Sequence, residues 1–297
     1  MNYNKQPLDI PAQIAMLKAR GLTFGDEQMA QQTLAIISYF RLAAFLRSME
    51  ADKQSHQYKP NATFENAVAL YSFDTELREL LFHGISKIEI ALRTKMIHHY
   101  SMKYGAFWFL EMQLCNDEHL FLENLSAIDR EISRSKEDFI KEHFQKYDKP
   151  AFPPAWKTME LLSLGTLAKV FFNSSDTKLK KKIAREFGHP NHLSLESWMT
   201  SITALRNHCA HHARVWNRNY PVTPVLPKRL QQQWISNTAT VFNKLYPQLC
   251  CIAYWLRTID PQSTFVADFK ALLQQYPTVD DAAMGFPKGW RQEPLWQ

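Results

Sequence analysis

No other part of the chain brings three His, two Arg and two Asn into so few residues as Leu205-Arg206-Asn207-His208-Cys209-Ala210-His211-His212-Ala213-Arg214-Val215-Trp216-Asn217. Just before and within it, apolar side chains recur at the spacing of one helical face: Trp198, Ile202, Leu205 and Cys209. At about 100° per residue, Arg206, Asn207 and His211 fall on a separate arc. The pattern predicts an amphipathic helix over residues 193–216, with a buried face beside a face that carries a guanidinium, an amide and an imidazole.

The composition is that of an ordinary globular protein. Hydrophobic residues make up 45% of the 297 residues and charged residues 22%, and there are only eight glycines. Alternation of apolar and polar residues is scarce, so an all-α fold is predicted. The net charge of +6 suits a polyanionic partner such as RNA without establishing one.

Cysteine usage and hydropathy predict a cytoplasmic protein. The four cysteines, at 115, 209, 250 and 251, show no disulfide-framework spacing, which is typical of a reducing compartment. No apolar signal region follows the first residues. The longest apolar run, Leu249–Leu256, is far shorter than the roughly 20 residues of a membrane-spanning helix.

Periodicity predicts helices along most of the chain. The predicted helices cover residues 9–21, 26–49, 63–100, 116–132, 139–144, 156–172, 176–188, 193–216, 230–245, 249–257 and 264–275. Residues 51–61 are expected to form a loop, and 276–297 an irregular strap. The longest helix could be one helix or two in line. We expect an N-terminal helical extension (1–60), a helical domain carrying the motif (61–260) and a C-terminal helix with its tail (261–297).

Four charges on the 63–100 helix allow two interpretations: Asp74, Arg78, Glu89 and Arg93. Charged residues on a helix are usually solvated. Alternatively, some of them face the arc of Arg206 and His211. Glu89 and Arg93 are spaced i,i+4 and can form an ion pair with each other.

The motif and several other segments resemble a known family. Arg206-Asn207-x-x-x-His211 matches the Arg-x4-His signature of the HEPN superfamily, including the Asn after the Arg that many HEPN ribonucleases have. Five ordered segments resemble its AbiD/AbiF-type abortive-infection branch: Ser38–Leu42, Tyr71–Arg78, Ile88–Arg93, Ala210–Asn217 and Met284–Trp290. Arg-x4-His alone is a weak pattern, whereas five ordered segments are stronger evidence.

The resemblance implies a HEPN-type helical bundle and a metal-independent endoribonuclease that acts as an anti-phage toxin. Such a site cleaves RNA by attack of the ribose 2′-hydroxyl and leaves a 2′,3′-cyclic phosphate. His211 would transfer protons. Arg206 would stabilise the charge that develops on the phosphate, and Asn207 would orient the imidazole or the phosphate. One motif per chain implies a homodimer. An antitoxin, a small RNA or a protein, is expected by resemblance.

Further residues are candidates for RNA binding: Arg214, His212, Lys180, Lys181, Lys182 and Arg78. The lysines belong to the basic helix after Asp176, which is either a solvated face or a track for phosphates. Arg214 lies on the arc of the motif and could contact phosphate.

Two alternatives remain open. His208 and His212 have the i,i+4 spacing of a zinc site, but no third ligand is recognisable, so neither a metal nor another cofactor is predicted. The second alternative is a non-catalytic RNA-binding or scaffolding protein with a decayed site. The intact Arg206/His211 pair favours the enzyme.

Overall fold

The computed structural model describes residues 6–238 and 242–297. Within them the chain forms twelve α-helices: α1 (Ile10–Ala19), α2 (Glu27–Ile36), α3 (Tyr39–Leu46), α4 (Phe64–Tyr104), α5 (Glu118–Arg134), α6 (Asp138–Lys146), α7 (Ala155–Thr158), α8 (Leu164–Asn173), α9 (Thr177–Glu186), α10 (His192–Ala210), α11 (Tyr246–Ile259) and α12 (Phe265–Gln275). A two-stranded antiparallel hairpin, β1 (Glu50–Asp52) and β2 (Gln57–Tyr58), lies in the segment predicted to be a loop. The all-α prediction is confirmed.

The helices form two compact units. One comprises the described residues up to Arg78 together with Ala271–Val279, and the other Glu79–Lys270 with Asp280–Gln297. The long helix α4 belongs to both and is a single helix of 41 residues, which decides between the two predicted forms. The predicted segments 1–60, 61–260 and 261–297 divide the chain differently and stay a prediction.

The first unit is built from α1–α3, the hairpin and the start of α4. Its core contains Leu17, Leu34, Leu42 and Phe64, all buried. Phe24 stacks on Phe64 with their ring centroids 5.2 Å apart. Thr63 caps the start of α4 as predicted, because its hydroxyl accepts a hydrogen bond from the Asn66 amide at 3.1 Å.

The second unit is organised around α10, which contacts α8, α9 and α11. The predicted apolar stripe is confirmed, since Trp198, Ile202 and Leu205 are completely buried and Cys209 is 5% exposed. Trp198 stacks on Trp234 at 5.2 Å. This burial fixes the orientation of α10, and therefore of the polar residues at its end.

The start of α10 is also buried and hydrogen-bonded. Asn191 caps the helix by accepting a hydrogen bond from the Ser194 amide at 2.9 Å. His189 accepts a hydrogen bond at Nε2 from the Trp255 indole at 2.8 Å, and its Nδ1 lies 2.9 Å from the Ser194 hydroxyl. Nδ1 therefore carries the proton of a neutral ring. Burial lowers the pKa of His189 to about 3.

Gly188, just before His189, adopts a left-handed conformation with φ of 76°. A β-carbon at this position would lie only 2.3 Å from the Tyr254 hydroxyl oxygen. That hydroxyl also donates a hydrogen bond to the Gly188 carbonyl at 3.1 Å. Both the backbone conformation and this close approach therefore favour glycine.

Two predicted helices are each divided into two in the structure. The 26–49 helix is divided at Ile37 and Ser38, because Ile37 is extended and Ser38 caps α3. The 156–172 helix is divided into α7 and α8, with Ser163 extended and capping α8. In both cases the serine side chain accepts a backbone amide hydrogen bond that a continuous helix would not use.

The predicted 230–245 helix is wrong for the residues that the structure describes, 230–238 and 242–245, which are non-helical; residues 239–241 lie outside them. Residues outside this segment form hydrogen bonds with it instead. Glu293 accepts hydrogen bonds from the amides of Ser236 and Asn237, and the Trp234 indole donates to the Pro227 carbonyl. In the described ranges, every helix is too short or too polar to cross a membrane.

Candidate functional site

The motif residues lie where α10 ends. Asn207 is in the last turn, Arg206 directly precedes it, and His211 is the C-cap residue, so the helix ends earlier than the predicted 193–216. His212 adopts a left-handed conformation with φ of 53°. Its amide donates to the Cys209 carbonyl at 3.1 Å, and the Ala213 amide donates to the His208 carbonyl at 2.9 Å. These two bonds form a Schellman motif, which terminates the helix.

Glycine is the usual residue at such a left-handed position, since a side chain there costs about 1–2 kcal/mol. The structure places His212 in this position directly after His211. The stretch that follows is anchored firmly: Val215 and Trp216 are buried, and the Tyr220 hydroxyl donates to the Val215 carbonyl at 3.0 Å. The backbone around His211 is therefore fixed on both sides.

Arg206 lies against α4. Its Nε is 3.9 Å from Glu89 Oε2, and its guanidinium carbon is 5.6 Å from the centroid of the Phe82 ring. The Arg206 side chain is 30% exposed, while its Nε is buried and has no hydrogen-bond acceptor among the described residues. The guanidinium is thus held by an aromatic face and a carboxylate, and part of it remains open to solvent.

Glu89 itself is fixed by Arg93. Glu89 Oε1 accepts a hydrogen bond from Arg93 Nη2 at 2.9 Å, and the same nitrogen donates to the Leu162 carbonyl at 2.9 Å. Both side chains are at most 15% exposed. For Glu89, the interpretation that α4 charges face the motif is therefore correct, whereas Arg93 contacts the motif only through Glu89. Asp74 and Arg78 form a separate buried pair at 3.1 Å.

The two other motif side chains, Asn207 and His211, are exposed. His208 is half-buried, and its ring lies 5.8 Å from that of Tyr220. Burial lowers the pKa of His208, and the charges of Arg218 and His211 lower it further. His208 is therefore a packed neighbour of the motif, whereas the imidazole of His211 is exposed to solvent and to a ligand.

Cations collect around this helix end. Arg218 Nη1 donates to the Arg214 carbonyl at 3.4 Å, and Lys244 Nζ donates to the Asn217 side chain at 3.0 Å. Burial lowers the pKa of Lys244, and so does the charge of Arg214. Among the described residues no carboxylate lies within 4.0 Å of Arg218 or Lys244. The electrostatics therefore favour an anion.

Three residues of this site were not predicted from the sequence: Arg218, Lys244 and Phe82. Arg218 lies four residues beyond Arg214 and could have been included on spacing alone. Lys244 is separated from the motif by a loop whose course no periodicity indicates, and Phe82 looks like an ordinary core position. Lys244 and Phe82 become recognisable only from their tertiary contacts.

The predicted RNA-binding residues fall into two groups. Lys181, Lys182 and His212 are exposed, and Arg214 is half-buried. Arg78 is 7% exposed and bonded to Asp74, whereas Lys180 is 5% exposed, with its Nζ 2.6 Å from Glu196 Oε1 and 3.0 Å from the Phe172 carbonyl. The expectation that Lys180 shares one solvent-facing track with its neighbours does not fit, because its charge is neutralised inside the fold.

The alternative zinc site loses its geometric basis. Because α10 ends at Ala210 and His212 is left-handed, His208 and His212 are not one helical turn apart on a common face. Over residues 6–238 and 242–297, no group of three or more His, Cys, Asp or Glu side chains could hold a metal ion.

Comparisons with known proteins give one match. The family model described as Abi-like protein matches residues 32–217, more than half of the chain. The match includes four of the five resembling segments and ends at Asn217, so Met284–Trp290 lies outside it. Searches of curated proteins and of solved structures found no match. The extent of the family match shows that this chain belongs to the family of Abi-like proteins.

Proposed function

We propose that the protein is a metal-independent endoribonuclease of the HEPN type that acts as an abortive-infection toxin. One observation carries the proposal: Arg206, Asn207 and His211 stand together at a fixed helix end, where Asn207 and His211 are exposed and the surrounding charge is positive. Membership of the Abi-like family supports it. A phosphodiester is an anion that these residues can both bind and cleave.

The proposed reaction is a transesterification. The ribose 2′-oxygen attacks the adjacent phosphorus, the new P–O2′ bond forms, and the P–O5′ bond breaks. One group removes the proton of the 2′-hydroxyl, and another protonates the departing 5′-oxygen. The products are a 2′,3′-cyclic phosphate and a 5′-hydroxyl. His211 is suited to either proton transfer, because an imidazole can both accept and donate a proton.

Arg206 would stabilise the negative charge that grows on the phosphate oxygens during this step. A guanidinium presents paired N–H donors that match two phosphate oxygens. Glu89 is a positioning residue: its carboxylate, held by Arg93, lies 3.9 Å from Arg206 Nε and limits where the guanidinium can point. Asn207 would orient the phosphate or the imidazole through its amide.

We further propose that the active form is a homodimer in which the two Arg206/His211 pairs face a shared cleft. Each chain supplies one such pair, while the reaction needs both a proton acceptor and a proton donor. A second His211 would provide the missing group. A monomer at micromolar concentration that retains full cleavage activity would contradict this part of the proposal.

RNA contacts next to the motif are proposed for Arg214 and His212, and Lys181 and Lys182 are proposed to contact RNA only away from the cleaved bond. Arg78 and Lys180 are left out of the proposal, because both side chains are buried and paired with a carboxylate. A cytoplasmic location and silencing by an antitoxin, either a small RNA or a protein, complete the proposal. The location follows from the cysteine usage and hydropathy, and the antitoxin from the family resemblance.

The decisive experiment is RNA cleavage in EDTA with mapping of the product ends. We expect 2′,3′-cyclic phosphate and 5′-hydroxyl ends. A substrate with a 2′-deoxynucleotide at the cleaved position should resist, because it lacks the attacking oxygen. The His211→Ala variant is the control against a contaminating nuclease. Binding of RNA without cleavage by the parent protein would instead support the alternative of a non-catalytic RNA-binding or scaffolding protein.

A further inference from the structure

The helix α9 exposes four cations on one side. Lys178, Lys181, Lys182 and Arg185 are all exposed, whereas Lys180 points inward. Positions i, i+3, i+4 and i+7 share one helical face. At 1.5 Å per residue, the four extend over about 10 Å. We call these four residues the α9 ridge.

The carboxylates near the α9 ridge are already used by other cations. Asp176, at the start of α9, pairs with Lys103 at 2.6 Å and accepts a hydrogen bond from the Tyr104 hydroxyl at 2.7 Å. Glu186, at its end, pairs with Lys95 at 3.0 Å and with His99 at 2.8 Å. For the four ridge cations, no carboxylate lies within 4.0 Å in the part of the chain that the structure describes.

These end contacts also define how α9 lies. Its first residues meet the C-terminal end of α4, and its last residues meet α4 one to two turns earlier, so the two helices run antiparallel. The carboxylates at the two ends of α9 are therefore paired with residues of α4. Like charges at i,i+3 and i,i+4 repel by a few tenths of a kcal/mol per pair, which a polyanion would relieve.

The α9 ridge lies away from the motif. The distance between the two can be estimated along α10 and along α4, and both helices give the same value. Lys180 of α9 pairs with Glu196, which precedes Arg206 by ten residues of α10, or about 15 Å of helix. His99, which pairs with Glu186, follows Glu89 by ten residues of α4, again about 15 Å. An anion at the ridge is thus distinct from the phosphate at Arg206.

We propose that the α9 ridge binds the phosphodiester backbone of single-stranded RNA outside the cleaved bond, so that the protein prefers extended substrates. This inference rests on the proposed ribonuclease function. A dinucleotide, whose single phosphate occupies the motif, does not reach the ridge. A strand with several phosphates on one side of the cleaved bond does, since each nucleotide of a stacked strand adds about 3.4 Å along the strand axis.

The test compares a dinucleoside monophosphate with a 20-nucleotide single-stranded RNA. The ridge variant carries Lys178→Gln, Lys181→Gln and Lys182→Gln together. The control variant carries Lys136→Gln, Lys146→Gln and Lys288→Gln, which removes the same charge from exposed positions elsewhere. For the ridge variant we expect KM for the long RNA to rise about tenfold at physiological salt, with kcat unchanged. The dinucleotide should be cleaved at the parent rate by both variants.

The inference can also be tested by measuring RNA binding, which does not require catalysis. In a His211→Ala background, the dependence of log Kd on log salt should lose a slope of about 2 in the ridge variant, about 0.7 for each lost phosphate contact. The control variant should keep the parent slope. If the triple variant melts below the parent, the three single substitutions, each expected to carry about a third of the slope change, replace it.

An unchanged slope in the ridge variant, or an equal change in the control variant, would overturn the inference. An unchanged slope would mean that the ridge is a solvated face or a site for another partner. An equal change in the control variant would mean that the effect comes from the net charge of the protein and not from the position of the ridge. A protein that binds RNA through the ridge but never cleaves it would refute the proposed function alone. Failure of one proposal is thus distinguishable from failure of the other.

Discussion

The two ends of α10 differ in how completely their polar groups are bonded. At the start, the imidazole of His189 is fully buried and both of its nitrogens are hydrogen-bonded. At the end, the imidazole of His211 is exposed, and Arg206 Nε has no hydrogen-bond acceptor among the described residues. The same helix therefore uses polar residues for stability at one end and leaves them available for a ligand at the other.

Replacing His211 with Ala tests this comparison with the largest expected effect. Loss of the proton-transfer group should lower single-turnover cleavage by about 10²–10⁴-fold, because general acid–base catalysis contributes that much. RNA affinity should change little, and the unfolding free energy should stay within about 0.5 kcal/mol, as is usual for an exposed position. Cleavage rate, Kd and denaturant unfolding are measured on the same preparation. Cleavage at the parent rate would remove His211 from the mechanism.

At the opposite end, Gly188→Ala should lower the unfolding free energy by about 2–4 kcal/mol, because it combines left-handed strain with a clash. The new β-carbon would lie 2.3 Å from the Tyr254 hydroxyl. Gly105→Ala is the matched control, since Gly105 has φ of 86° and no neighbouring atom within 4 Å. Its unfolding free energy should fall by about 1 kcal/mol, which is the backbone strain alone. Equal losses in the two variants would show that the contact with Tyr254 contributes nothing.

The pH dependence of stability should report His189. Its pKa is about 3 in the folded chain, whereas an unfolded histidine titrates near 6.5. Between these values the unfolded state binds more protons, so the unfolding free energy falls as the pH falls. The expected loss from pH 6.5 to 5 is about 2 kcal/mol.

The His189→Gln variant separates this group from the carboxylates that titrate in the same range. Its stability should depend less steeply on pH, by about 1.1 kcal/mol per pH unit on average between pH 6.5 and 5. Denaturant unfolding at several pH values measures both slopes. Identical slopes for parent and variant would mean that His189 is not neutral and buried in solution.

The smallest effect is expected at His212. Glycine removes the left-handed strain but adds unfolded-state entropy, so the unfolding free energy of His212→Gly should exceed that of His212→Ala by about 0.5–1 kcal/mol. His212→Ala keeps the strained backbone and removes only the imidazole, and so serves as the control. Thermal unfolding of both variants measures the difference. A glycine variant less stable than the alanine variant would argue against the left-handed helix end.

The interior of α10 could be predicted from the sequence, whereas its end could not. The stripe of Trp198, Ile202, Leu205 and Cys209 repeats at helical spacing, and burial follows from that repeat. A helix end is normally indicated by Gly or Asn, and here the left-handed position is occupied by His212. The hydrogen bonds that stop the helix depend on a conformation for which this residue type gives little signal.

Tertiary partners explain the other differences. The segment after Leu230 has helical spacing, but Glu293 and other distant groups bond its backbone instead. The contact of Glu89 with Arg206 joins two helices that are far apart in the sequence. For Lys180 a signal was present: it shares a helical stripe with Ala184 and Phe187, and all three are buried. The stripe could have separated it from Lys181 and Lys182.

The inward position of Lys180 has an evolutionary consequence. Its ammonium group bonds to one carboxylate and one carbonyl, so neither a glutamine nor an arginine would reproduce its contacts. Lys178, Lys181, Lys182 and Arg185 share no such constraint, since only their summed charge matters for attraction to a polyanion. Among homologues, positive charge should drift freely along the outer side of this helix while lysine stays at the inner position.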